Sequence, residues 1–228
     1  MDALKDRMID AALPHVAFDG WSAATFRKAV EDAHVTPAQG RAAFPRGAID
    51  LALAFHRRGD AEMVQRLRGG DLTDMRFRDR IAHAVRLRLE IAGDNREAVR
   101  RGITLFALPI HAADGAAAVW GTADAIWDAL GDTSQDVNWY TKRATLAGVY
   151  SSTVLYWLGD QTEGHSATWD FLDRRIDDVM QIEKMKAQVR KSPILSSLMA
   201  GPNMILNQIR APIRPPRGDL PGIWRDPS

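Results

Sequence analysis

The residue spacing with the plainest chemical meaning is Glu31-Asp32-Ala33-His34, a Glu-x-x-His pair that sets a carboxylate and an imidazole on one face of a helix. Di-iron bundles use that spacing twice and add further carboxylates. The sequence contains it only here, so no metal centre is expected from it. The stretch Asp132-Thr133-Ser134-Gln135-Asp136 begins like a calcium loop but lacks the later glycine and glutamate that complete one. The six histidines are scattered and no Gly-rich phosphate loop occurs. With no cysteine, disulfides, thiolate metal ligands and cysteine nucleophiles are excluded. No catalytic residue, no metal and no cofactor can be assigned.

A different chemistry is written in "GDTSQDVNWYTKR", Gly131 to Arg143, where acids and small polar residues precede Trp-Tyr and a basic pair. Aromatic and arginine side chains supply most of the energy of protein interfaces, which would make this an exposed docking patch. The competing reading is a buried helix start, since Trp139, Arg143, Leu146, Tyr150 and Val154 share one helical stripe.

The elements that must carry these residues are helical. Apolar residues return at three and four positions and sustained alternation is absent, so we expect an all-α protein. Leu4, Met8, Ala11, Ala12 and His15 form the stripe of a first helix that ends at Gly20, where a positive φ is available. Ser22 caps a second helix, and Thr36-Pro37 starts a short third one that ends near "AFPRG". A longer helix follows over about 48–67, then others over 74–92, 95–107, 111–130, 139–159, 164–190 and 193–210. Asp173, Arg174, Arg175, Asp177 and Asp178 read as a solvated face with pairs inside its own helix. The expected organisation is an N-terminal unit over 1–47, a helical body over 48–190, an amphipathic helix over 191–210 and a Pro-rich disordered tail over 211–228. That last stretch holds five of the eleven prolines.

The first sixty residues, "MIDAALPHVAFDGWSAATFRKAVEDAHVTPAQGRAAFPRGAIDLALAF" within them, resemble the helix-turn-helix layout of TetR-type proteins. DNA recognition needs donors for base edges among cations for phosphates. Here the third helix reads "TPAQGRAA", where Gln39 and Arg41 stand among alanines and a glycine, and Glu31 and Asp32 offset Arg27 and Lys28. We therefore expect a helix-turn-helix scaffold that does not bind DNA; a ligand-responsive TetR-type regulator is the alternative. Three further segments, "RFRDRIAHAVRLRLE", "DTSQDVNWYTKRATLAGVY" and "TWDFLDRRIDDV", resemble the TetR-like accessory family of ubiquinone biosynthesis. The resemblance implies a non-catalytic protein that binds an isoprenoid or quinone lipid and assists the di-iron demethoxyubiquinone hydroxylase. It also implies that Asn138, Trp139, Tyr140 and Arg143 contribute to the docking surface. A homodimer is expected.

With that resemblance in hand, Ile103, Phe106, Leu108, Trp120, Ile126, Trp127, Leu146, Val149, Tyr150 and Val154 are expected to line a lipid cavity between the middle helices, the competing reading for each being a filled core. The seven cations between Lys184 and Arg217 stand without an acid, so this segment carries +7 and the remainder −6. Inside it Ile194, Leu195, Leu198, Met199, Ile205, Leu206 and Ile209 recur at helical spacing. Such a face flanked by cations suits an anionic membrane surface, with Pro202 kinking the helix; the competing reading is a helix packed on its own domain or on a second subunit. No run of about 18 apolar residues would cross a bilayer, and "MDALKDRMIDAAL" mixes charges into its first turns in a way unlike a signal peptide. The expected location is cytoplasmic, peripheral to the inner face of the cell membrane.

Overall fold

The computed structural model describes residues 2–191 and 210–211. The expected membrane helix with Ile194, Leu195, Leu198, Met199, Ile205, Leu206 and Ile209, and the tail beyond residue 211, lie outside the described residues. Among those described, helices α1 (Asp2–Asp19), α2 (Ala23–Asp32), α3 (Pro37–Ala43), α4 (Ala48–Gly69), α5 (Phe77–Ile91), α6 (Arg96–Phe106), α7 (Ala112–Ala129), α8 (Val137–Gly159) and α9 (Ser166–Lys191) follow one another, and there is no strand.

Local chemistry sets the boundaries of the first helices. Gly20 takes φ +64° after α1. The Ser22 hydroxyl then accepts the Thr25 N–H, satisfying one of the donors that a helix start leaves without partners. Thr36 and Gln39 form a reciprocal capping box: Thr36 Oγ1 accepts the Gln39 N–H at 3.2 Å while Gln39 Oε1 accepts the Thr36 N–H at 2.9 Å. Gly40 is required where α3 crosses α2, because a Cβ there would sit 2.8 Å from Val30 Cγ2. One apolar cluster joins α1–α4 through Met8, Ile9, Val16, Trp21, Phe44 and Leu51. A second, larger one joins α4, α5, α7, α8 and α9 through Met63, Val85, Leu89, Ile126, Trp157 and Leu172.

The long helix α4 belongs to both clusters and ties the first unit to the second. The charged face of α9 is solvated, with Asp173, Arg174, Arg175, Asp177 and Asp178 all exposed, but its pairs are not all internal. Arg78 of α5 pairs with Asp177 at 2.7 Å and with Asp173 at 3.6 Å, joining two helices, while Arg175–Asp178 lies within α9. The Glu31–His34 spacing does not yield a helical pair, since α2 ends at Asp32 and His34 adopts φ +53° in the turn.

Candidate functional site

Between α4, α5, α6, α7 and α8 lies an apolar cavity of about 310 Å³, at the lower end of the volumes usual for small-molecule sites. The walls that α6 and α7 supply are rich in small residues. Ala112, Gly115, Ala116 and Val119 recur along one face of α7, and Ala98, Gly102 and Ile103 form the facing stripe of α6. Gly115 also brings these helices together, because a Cβ there would approach Phe106 Cβ to 2.7 Å. Trp21, Phe55, Leu89 and Val154 complete the apolar wall.

Of the ten residues expected to line the cavity, Ile103, Phe106, Tyr150 and Val154 do so. Leu108 does not: it lies in the turn after α6 and is 48% exposed. Ile126, Trp127, Leu146 and Val149 are packed into the larger core cluster. Trp120 stands one step round α7 from Val119 and joins Trp139 and Tyr140 in an aromatic group, with ring centroids 6.0 and 6.4 Å away. The physical reason is common to these five: large side chains fill the space they face, so the void opens where the helices present alanine and glycine.

One side of the cavity is polar. Arg88 on α5 is buried, its Nε donating to Asp60 Oδ1 at 2.7 Å and its Nη2 to the His56 carbonyl at 3.0 Å. The guanidinium lies against Gly59, where a Cβ would come within 2.7–2.9 Å of it. His56 Nε2 and Thr122 Oγ1 share a hydrogen bond of 2.8 Å, and Thr122 Oγ1 donates to Asp60 Oδ1 at 3.0 Å. Burial pushes the His56 ring below its ordinary value, outweighing the attraction of Asp60, so the ring is neutral at pH 7. Burial likewise raises the Tyr150 hydroxyl, which stays protonated beside Thr122. None of His56, Arg88, Asp60 or Thr122 stood out in the sequence: His56 and Asp60 are one helical turn apart on α4, but Arg88 and Thr122 reach them from α5 and α7.

The aromatic segment resolves into two layers. Asp132 is the organiser of the turn: its carboxylate accepts from Lys142 Nζ at 2.8 Å, Arg143 Nη1 at 2.9 Å and Ser134 Oγ at 2.8 Å. Burial alone would raise its pKa, but the hydrogen bonds from Lys142, Arg143 and Ser134 together hold it well below the usual carboxylate range. Asp136 caps α8 by accepting the Asn138 N–H. Arg143 is fully buried; it also pairs with Asp124 and lies 4.1 Å from the centre of the Trp139 ring. It is therefore an internal brace and cannot itself touch a partner. Trp139 is 8% exposed and covers that brace, whereas Tyr140 is 36% exposed, edge-on to Trp139 at 4.8 Å. Asn138 is half-buried beside them. The Tyr140 hydroxyl donates to the Arg210 carbonyl at 3.3 Å and the Ala211 N–H to the Gln135 carbonyl at 3.0 Å, so the chain returns to this surface at 210–211.

Among the described residues no group of three or more His, Cys, Asp or Glu is placed to hold a metal ion, and no helix is long and apolar enough to cross a membrane.

A family model for COQ9 matches residues 112–183, which take in α7, α8 and most of α9. The chain is 33% identical over 192 residues to the ubiquinone biosynthesis protein COQ9, mitochondrial, of Drosophila melanogaster, covering 82% of this chain and 59% of that one. It is 27% identical over 202 residues to the human protein of that name, covering 84% and 62%. To the probable ubiquinone biosynthesis protein coq9, mitochondrial, of Dictyostelium discoideum it is 26% identical over 195 residues, covering 83% and 64%. The chain thus spans about three fifths of the length of these curated relatives. A TetR transcriptional regulator from Nitrosomonas europaea superposes with a TM-score of 0.64 at 22% identity, covering 77% of this chain and 97% of that one. The fold is TetR-like, and the resemblance read from the three sequence segments holds across most of the chain.

Proposed function

We propose that this chain, similar to COQ9 proteins over four fifths of its length, serves ubiquinone biosynthesis as a non-catalytic lipid carrier. It holds an isoprenoid quinone intermediate in the cavity and presents it to the demethoxyubiquinone hydroxylase at a membrane surface, working as a homodimer. The observation that carries this reading is the cavity itself: an apolar space of about 310 Å³ kept open by small residues on α6 and α7. An apolar chain gains roughly 0.8 kcal/mol for each methylene taken out of water, so such a space is a site for a hydrocarbon tail. The exposed edge of the Trp120, Trp139 and Tyr140 group, where Tyr140 reaches solvent, is the docking surface, and Arg143 holds it in shape from beneath. The cationic segment from Lys184 to Arg217 makes the membrane contact.

DNA binding finds little support. The one amide on α3 suited to reading adenine, Gln39, is engaged in the capping box with Thr36, and Gly40 beside it is buried. A likeness in fold to a regulator does not supply the missing contacts.

Mass spectrometry of lipid extracted from the purified protein tests the carrier reading. The expected result is an isoprenoid quinone or its precursor, enriched far above its share of the membrane, and lost in Gly102→Phe. A Cβ at Gly102 meets nothing closer than Trp21 Nε1 at 3.6 Å, so that substitution fills the cavity without a backbone clash. Bulk phospholipid in membrane proportions, or lipid unchanged by Gly102→Phe, would overturn it.

A further inference from the structure

We propose that the polar side of the cavity, formed by Arg88 and Tyr150 with Asp60 behind them, is a hydrogen-bonding subsite for an uncharged oxygenated headgroup, so that the lipid enters head first. The inference rests on the carrier reading and adds to it the orientation and the charge class of the ligand.

Three observations carry it. First, the polar groups are gathered on one side: His56, Arg88 and Tyr150 line the cavity there, against a wall that is otherwise nearly all hydrocarbon. A ligand with one oxygenated end and one apolar end matches that distribution in a single orientation. Second, the guanidinium has a donor to spare. Its Nε is taken by Asp60 and its Nη2 by the His56 carbonyl, and among the described residues Nη1 has no hydrogen-bond acceptor. The Gly59 backbone holds the guanidinium plane in place, since any side chain there would collide with it. Arg88 lines both this cavity and a second, more polar hollow beside Gly59 and Glu62, so the spare donor is held fixed in the wall between them.

Third, the charge in this corner is already balanced. Arg88 is paired with Asp60, and the His56 ring is neutral because burial disfavours its charged form. A phosphate or carboxylate headgroup would leave an excess negative charge away from water, which is costly. A quinone carbonyl, phenol or ester oxygen brings no charge and accepts a hydrogen bond from Arg88 Nη1 or the Tyr150 hydroxyl. The subsite selects for neutral acceptors by the pairing that precedes the ligand.

The test titrates delipidated full-length protein with three probes of matched chain length: a decyl-substituted benzoquinone, decylbenzene and didecanoyl phosphatidic acid. Each is measured calorimetrically against the wild type, Tyr150→Phe and Arg88→Lys. Tyr150→Phe keeps the ring in the cavity wall, and Arg88→Lys keeps the pair with Asp60 while removing the fork. The expected order in the wild type is benzoquinone first, with each variant weakening that probe roughly three- to tenfold, as loss of one hydrogen bond would, and leaving decylbenzene unchanged. Equal binding of benzoquinone and decylbenzene, with neither variant altering the ratio, would mean that the head stays outside and the cluster serves only the fold. Tighter binding of phosphatidic acid would refute the neutral-head assignment while leaving the cavity as a lipid site. Binding of none of the probes by the wild type would remove the carrier reading as well.

Discussion

Two buried arginines, Arg143 on α8 and Arg88 on α5, are bound in opposite ways. Arg143 is completely enclosed, paired with both Asp124 and Asp132, bonded to the Trp139 carbonyl and stacked beneath the Trp139 ring. Arg88 is almost as buried but has one carboxylate, one carbonyl and a cavity alongside. A buried cation held by two carboxylates and a carbonyl is committed to the fold. One with fewer, set in a cavity wall, keeps bonding capacity that a ligand can use. The difference separates the brace of a surface from the lining of a site, although sequence presents both as an Arg inside an apolar helix.

The largest expected effect comes from breaking the brace. Arg143→Met removes two ion pairs from one buried cation, with Asp124 and Asp132. Removing one partner of a buried pair costs about 3–5 kcal/mol, and because Lys142 and Ser134 still bond Asp132 the loss belongs near the lower end of that range. Chemical denaturation should show that loss. A cost near zero would make Arg143 as dispensable as a surface cation. Arg88→Met should cost less, about 2–3 kcal/mol, because one ion pair is lost there rather than two, and Thr122 still donates to Asp60. The double variant Asp60→Asn with Arg88→Met should recover most of it. If the two single variants proved equally damaging, Arg88 would belong with Arg143 as a structural group.

At the surface that Arg143 supports, Tyr140→Ala should weaken hydroxylase binding by about 1–3 kcal/mol, the range of an interface anchor, with thermal stability almost unchanged. Trp139→Ala should instead lower the melting temperature, since that ring roofs the brace. Loss of stability in Tyr140→Ala, with normal docking by the folded fraction, would put both aromatics in the core.

The contrast between the arginines also marks where sequence stops being informative. The caps Ser22 and Thr36, the turn at Gly20 and the stripe of α8 depend on residues within one helical turn of each other, and they are legible for that reason. Arg143 depends on Asp124 and Asp132, which reach it from α7 and across the turn before α8, so its burial is decided by tertiary structure. The cavity is harder still. Large residues such as Trp127 and Ile126 attract attention in a sequence, but they close space; the void follows from Ala112, Gly115 and Ala116 on one helix facing Ala98 and Gly102 on another. A run of small residues at helical spacing is the signal that was available, and it becomes meaningful only when a second such stripe is known to face it.

The smallest expected effect distinguishes the two arginine sites by pH. On the cavity side, His56 is held neutral, its folded pKa lowered by burial against the raising influence of Asp60, with Arg88 and Arg57 lowering it further. As pH falls through about 6.5, the ordinary histidine value, the unfolded chain takes up a proton that the folded chain refuses, so stability falls. On the brace side, Asp132 is held below the usual carboxylate range. Its contribution is fully present above about 3.9, the ordinary aspartate value, and is lost as pH falls from there towards the depressed folded value. Denaturation free energies measured from pH 8 to pH 3 should therefore decline in two stages. His56→Gln should flatten the stage that begins near neutrality and Asp132→Asn should reduce the acid one, to which Asp160, held low by Thr168 and Thr162, also contributes, each leaving the other in place. If His56→Gln leaves the upper stage unaltered, the ring is accessible to protons in the folded protein, and the cavity side is wetter than its apolar lining indicates.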